Sequence, residues 1–185
     1  PIPIDKVLKS IDRLVQALSE DGSLMAAKAI LTTDLVEKQM AFQANLDGRI
    51  VRIGGIAKGS GMIHPDMATM LAYISCDASI PGLIWQSMVK KAVQKSFNSI
   101  TVDGDTSTND SLLAFSFGEP LDEKYWGQLE IGLNLLTTYL AKAIVRDGEG
   151  ANCLLEVQVE GTSDSKAAEH LAKTIASSLL VKTAI

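Results

Sequence analysis

Ile4, Val7, Leu8, Ile11, Leu14, Val15 and Leu18 recur at the spacing of one helix face, with polar residues on the other. The pattern predicts an amphipathic helix over residues 4–19 that lies on something apolar. Ser23 is positioned to cap a second, short helix running to Ile30. Residues 39–46 and 49–57 are strand-like and flank Asp47-Gly48, a hairpin signal because glycine reaches positive φ at little cost. A loop over residues 58–68 leads into a strand over 69–76. Pro81 opens a helix reaching about residue 98, with Leu83, Ile84, Met88, Ala92 and Val93 on one face. Residues 99–102 are short and β-prone, 103–110 form a polar loop, and 111–118 alternate as a strand. Residues 123–145 form a long helical stretch despite Gly127 and Gly132, which weaken its continuity. Residues 147–150 break it, 153–160 have a strand pattern, and 165–180 a final helix. Helices with one apolar stripe each, mixed with hairpins and long crossovers, imply an α+β fold: two β-sheets layered between helices (α/β/β/α). There is no internal repeat and no low-complexity stretch.

Composition narrows the function classes. Of 185 residues 46% are apolar, enough for a packed core, and the net charge of −5 comes with scattered Lys and Arg. That argues against a nucleic-acid or anionic-membrane surface. No apolar run approaches the roughly 20 residues of a spanning helix. Cys76 and Cys153 match no metal-ligand spacing, so two buried free thiols in a reducing cytoplasm are expected. The start at Pro1-Ile2-Pro3-Ile4, without Met, suggests a fragment or a processing product.

Three loops carry unusual chemistry. Gly54, Gly55, Gly59 and Gly61 surround Lys58, so backbone N–H groups can approach a ligand, yet the order fails the phosphate-loop pattern because Lys58 precedes Gly59. Residues 101–111, with Asp103, Asp105, Asp110 and several Ser and Thr, resemble a calcium loop only in part. Thr108 stands at the sixth position and Ala114 at the twelfth, so the glycine and the bidentate glutamate are both missing. A polar turn whose side chains bond to nearby amides is the preferred reading, and no metal is expected. Arg146-Asp147-Gly148-Glu149-Gly150-Ala151 looks like a helix end, and it presents Glu149 between two glycines.

Together these loops resemble the ornithine acetyltransferase (glutamate N-acetyltransferase) family. Lys58-Gly59-Ser60-Gly61-Met62-Ile63-His64-Pro65 followed by Met67-Ala68-Thr69-Met70-Leu71 resembles its processing-site motif. Residues 101–111 resemble its Asp/Thr-rich loop, and residues 146–151 its Asp-Gly-Glu-Gly-Ala segment. Ile30-Leu31-Thr32-Thr33-Asp34 matches a further segment. The resemblance spans essentially the whole chain. It implies an N-terminal-nucleophile-like sandwich and a precursor that cuts itself at Ala68–Thr69. Residues 1–68 would then end an alpha chain and 69–185 begin a beta chain, the whole being the central part of one acetyltransferase domain. It further implies Thr69 as nucleophile, with Thr32, Lys58, Thr69 and Glu149 on substrate-binding positions. N-acetylornithine and glutamate are the implied substrates, acetyl-CoA an additional candidate donor, no cofactor is needed, and the two chains form a heterotetramer in the cytoplasm. The family's oxyanion-hole pair is expected upstream of Pro1, and further substrate contacts beyond Ile185. Asp66 departs from the pattern, which has Asn there.

The chemistry suits these residue types. A threonine freed at its N-terminus has its own α-amine as base, with a reference pKa of about 7.7–8.0, near working pH. Without the resemblance, Thr69 is only a β-prone residue opening a strand, Lys58 a loop charge, and His64 a shaper of its turn. Two other expectations compete with acetyl transfer. One is an aminopeptidase or amidase using the same nucleophile. The other is a fragment with only a structural role.

Overall fold

The computed structural model of the chain describes residues 3–64 and 70–185. Two strands, β1 (Lys38–Leu46) and β2 (Arg49–Lys58), form the expected hairpin, with Leu46 opposite Arg49. Asp47 and Gly48 take φ of 51° and 92°, as a two-residue turn matched to strand twist requires. β3 (Leu71–Cys76) pairs antiparallel with β2, and β4 (Ser111–Ser116) pairs parallel with β3. The sheet order is β1-β2-β3-β4. A parallel pair needs a crossover, which runs through α3 (Gly82–Gln94).

α4 (Trp126–Arg146) runs unbroken through Gly127 and Gly132 and packs on β1, β2 and α3. Its buried residues Leu129, Leu133, Leu136, Leu140 and Ile144 form one stripe. They meet the inward sheet residues Val51, Ile53, Ala57, Ala72, Ile74 and Cys76, with Trp85 and Met88 from α3. Each buried leucine contributes about 1.5–3 kcal/mol relative to exposure. This core fixes the ends of β2, β3, β4 and α4, which carry the loops of interest. The opposite sheet face, with Arg52, Ser75, Leu113 and Phe115, is exposed.

The α+β character expected from the element order is what forms, although the described residues make one four-stranded sheet where two were expected, and several details differ. α1 (Ile4–Gln16) is helical as its period demands, but its apolar stripe has no cover among the described residues. α2 (Ser23–Ala29) starts after Gly22, without a side-chain cap from Ser23. The helix after Pro81 stops at Gln94, and Phe97–Ser99 is a 3-10 turn, so residues 99–102 add no strand. Residues 153–160 pair with no strand among the described residues, because a strand pattern becomes a strand only when a neighbour satisfies its backbone groups. The last helix is two, α5 (Ser165–Ser177) and α6 (Leu179–Ala184), separated by Ser178, whose hydroxyl accepts from Val181 N. Cys76 is buried, and that burial pushes its thiol pKa up, whereas Cys153 is exposed rather than buried. No helix among the described residues is long and apolar enough to cross a membrane.

Candidate functional site

The three loops converge at the carboxyl end of β2. Lys58 closes that strand opposite Leu71, and its side chain folds back into the protein, where Nζ donates to Thr32 Oγ1 at 3.1 Å. Only 8% of Lys58 is exposed, so it is not the solvated loop charge its sequence surroundings suggest. Thr33 Oγ1 and Ser60 Oγ lie 2.6 Å apart, joining the 32–34 segment to the glycine loop a second time. Glu149 N donates to Ser60 O at 2.8 Å, which brings the segment after α4 to the same place. The Glu149 carboxylate lies against Gly61 and is open to solvent. Thr32, Lys58 and Glu149 thus share one site although 117 positions separate the first from the last. Cation and carboxylate are presented on separate backbones, an arrangement suited to a small ligand carrying both signs.

Beneath these groups lies a cluster that sequence reasoning missed. Lys38 Nζ donates to Asp34 Oδ1 at 2.7 Å, to Asp147 Oδ2 at 2.5 Å and to Val36 O at 3.1 Å. The side chains are 0%, 0% and 5% exposed for Lys38, Asp34 and Asp147. Asp34 also accepts from Gly59 N at 2.7 Å and from Thr32 N at 3.3 Å, and Asp147 accepts from Leu35 N and Val36 N. Burial pushes the Asp34 carboxyl pKa upward, but the bonds from Lys38, Gly59 and Thr32 and the Lys38 charge outweigh it and hold the value below the usual one. The four-residue spacing of Asp34 and Lys38 was the available signal. Asp147 gave none beyond its position as a helix breaker.

The Asp/Thr-rich loop supports the glycine loop from its other side. Asp103 accepts from Met62 N at 2.6 Å and Ile63 N at 3.0 Å, and Val102 N donates to Ile63 O. Met62 is held at φ 52°, which costs a non-glycine residue about 1 kcal/mol or more, and these bonds keep it there. It is exposed rather than packed, whereas Met70 is buried. His64 Nδ1 lies 3.2 Å from Thr101 Oγ1, a loop-shaping contact. Asp110 Oδ1 accepts from Met70 N at 2.7 Å, while its Oδ2 is buried with no partner among the described residues. Burial raises the Asp110 pKa, and the Met70 bond and Lys58 charge offset this only in part. The carboxylates of Asp103 and Asp110 are therefore engaged by backbone amides. Among the described residues no cluster has the makings of a metal site. Ala68 and Thr69, the proposed cleavage and nucleophile positions, and Asp66, where the pattern has Asn, lie outside the described residues.

The sequence matches the ArgJ family over residues 1–185. This chain belongs to the ArgJ family. It is 60% identical over 185 residues to an arginine biosynthesis bifunctional protein ArgJ of Prochlorococcus marinus, and 63% identical to that of Parasynechococcus marenigrum. Each match covers 100% of the chain and 45% of the relative, so the chain spans a little under half the length of these ArgJ proteins. The crystal structure of the arginine biosynthesis bifunctional protein argJ from Bacillus halodurans is similar with a TM-score of 0.54 and 38% sequence identity. That similarity covers 58% of this chain and 53% of the other. The ArgJ match covers all three loops of the site.

Proposed function

We propose that this chain is the central part of one acetyltransferase domain that processes itself and then moves acetyl from N2-acetylornithine to glutamate in arginine biosynthesis. Residues 1–68 end the alpha chain and residues 69–185 begin the beta chain, and the two chains of the same precursor assemble as a heterotetramer in the cytoplasm. The names of the ArgJ relatives support the pathway. The convergence of Thr32, Lys58 and Glu149 carries the residue assignment.

In the first step Thr69 Oγ attacks the Ala68 carbonyl carbon, and the peptide C–N bond breaks to leave an ester and a free Thr69 amine. Water hydrolyses the ester, releasing the Ala68 carboxylate. In transfer, the Thr69 amine takes the hydroxyl proton as Oγ attacks the acetyl carbonyl. The departing ornithine amine accepts that proton, leaving acetyl on Oγ. The glutamate amine then attacks this ester and carries acetyl away as an amide, returning the proton to Oγ. Lys58 attracts the α-carboxylate common to both substrates, and Glu149 accepts from the ornithine ammonium or from a polar group that both substrates share. Lys58 suits this work because it is already desolvated and pairs with Leu71, two residues beyond Thr69. Acetyl-CoA is a second candidate donor for the same Thr69.

The test uses the full-length protein. Intact mass and N-terminal sequencing should give two chains, the second beginning at Thr69. Incubation with N-acetylornithine alone should leave one acetyl group on that chain, removed on adding glutamate. A single uncut chain stable at neutral pH sinks the processing claim. Acetyl released to water without glutamate favours an amidase.

A further inference from the structure

The Asp34–Lys38–Asp147 cluster makes no hydrogen bond to a side chain assigned to substrate, yet each of its carboxylates is tied to a segment that carries one. Asp34 Oδ1 is shared between Lys38 Nζ and Gly59 N, the amide that follows Lys58. Asp34 Oδ2 holds Thr32 N, so the hydroxyl that receives Lys58 is fixed by the same carboxylate. Asp147 stands two residues before Glu149 and holds Leu35 N and Val36 N with the oxygen that meets Lys38. One ammonium nitrogen therefore joins the backbone behind the cationic substrate group to the backbone behind the anionic one.

We propose that Lys38 is a positioning residue that sets the separation of Lys58 and Glu149, and so the length of substrate the site accepts. This rests on the reading of Lys58 and Glu149 as substrate groups. All three Lys38 protons are used, on two carboxylates and the Val36 carbonyl. A compact ammonium with three rotatable donors suits three acceptors gathered around one nitrogen. Removing it leaves two shielded anions facing one another, and the segments bearing Lys58 and Glu149 move apart. A displacement of that kind weakens binding of both substrates while the reacting threonine keeps its own chemistry.

The decisive measurement is a KM and kcat comparison in the full-length, self-cleaved enzyme, with thermal melts of each variant. Lys38→Met should raise KM for N-acetylornithine and for glutamate about tenfold, with kcat changed less than about threefold. Adding Asp147→Asn to Lys38→Met removes the repulsion, leaves Asp34 to hold Gly59 and Thr32 N–H and keeps an oxygen for Leu35 and Val36 N–H, and should bring both KM values back to within about threefold of the parent. If Lys38→Met does not fold, Asp147→Asn alone should raise both KM values. A lowered melting temperature with unmoved KM overturns the inference, because a cluster that only holds the fold together gives that result. Failure of the double variant to recover KM overturns it as well. Lys58→Met separates the two layers of the argument. If that control raises KM and Lys38→Met does not, the positioning role alone fails. If neither moves KM, the site reading fails and takes the positioning role with it.

Discussion

The Glu149 carboxylate occupies the space a side chain on Gly61 would need. A Cβ built on Gly61 would lie 2.9 Å from both Glu149 Cδ and Oε1. The glycine is there to leave room for an acid contributed by a segment 88 positions away. Gly61→Ala should displace that carboxylate at small cost to the fold, since the crowding group is the far end of a flexible side chain. KM in the full-length enzyme should rise several-fold, roughly the effect of misplacing a binding group by a fraction of an ångström. The melting temperature should move little. An unchanged KM would show that the placement of Glu149 does not matter to binding.

Lys58→Met keeps the aliphatic stem and removes the charge. Its expected signature is a rise of about tenfold or more in KM with kcat much less affected, the mark of lost uniform binding. Steady-state kinetics with each substrate in turn checks it. A selective fall in kcat instead would place Lys58 in the chemical step.

Thr69 admits a graded test. Thr69→Ala should block both cleavage and transfer, whereas Thr69→Ser should retain some of each because it keeps a hydroxyl and the new amine. Mass measurement of the purified variants reads the first, and acetyl transfer the second. Full processing of Thr69→Ala would falsify the assignment of the cleavage nucleophile.

Asp110 gives a pH prediction whose sign follows from its raised pKa. The folded state holds this proton more tightly than the unfolded chain, so the group contributes falling stability as pH rises from the ordinary carboxylate value through the raised one. Asp110→Asn keeps an oxygen for Met70 N and removes the titration. The variant should melt higher than the parent at about pH 7, with the gap closing as pH approaches about 4. Thermal melts across that range decide it, and a gap independent of pH would remove Asp110 as the cause.

Asp103→Ala strips the acceptor from Met62, Ile63 and Asp105 amides together. Leaving backbone donors of a partly buried loop unpaired costs about 1–3 kcal/mol. Denaturant unfolding should show that loss, and self-cleavage in the full-length protein should slow because the loop leading to Ala68 loses its anchor. Cleavage at the parental rate would separate loop stability from processing.

Much of the local structure could be read along the chain because its causes are local. The β1–β2 turn follows from Asp47-Gly48, and the α4 stripe from leucines at helical spacing, both contained within a few residues. The loop chemistry was also legible, since Lys58, Glu149 and the Asp/Thr-rich loop carry their residue types openly. Residues 153–160 show where such reading stops. Their alternation is genuine, but a strand exists only when another strand completes its hydrogen bonds, and the described residues supply none there.

By itself the sequence determined most of the element types, the family and the residues with reactive or charged ends. Only the tertiary structure decided that Lys38 is shielded from water between Asp34 and Asp147, and that Lys58 turns inward to Thr32. The reason is that a buried charge is tolerated only beside its partners. Asp147 and Lys38 are 109 positions apart, a separation that no local pattern encodes and that the packing of α4 on β1 closes.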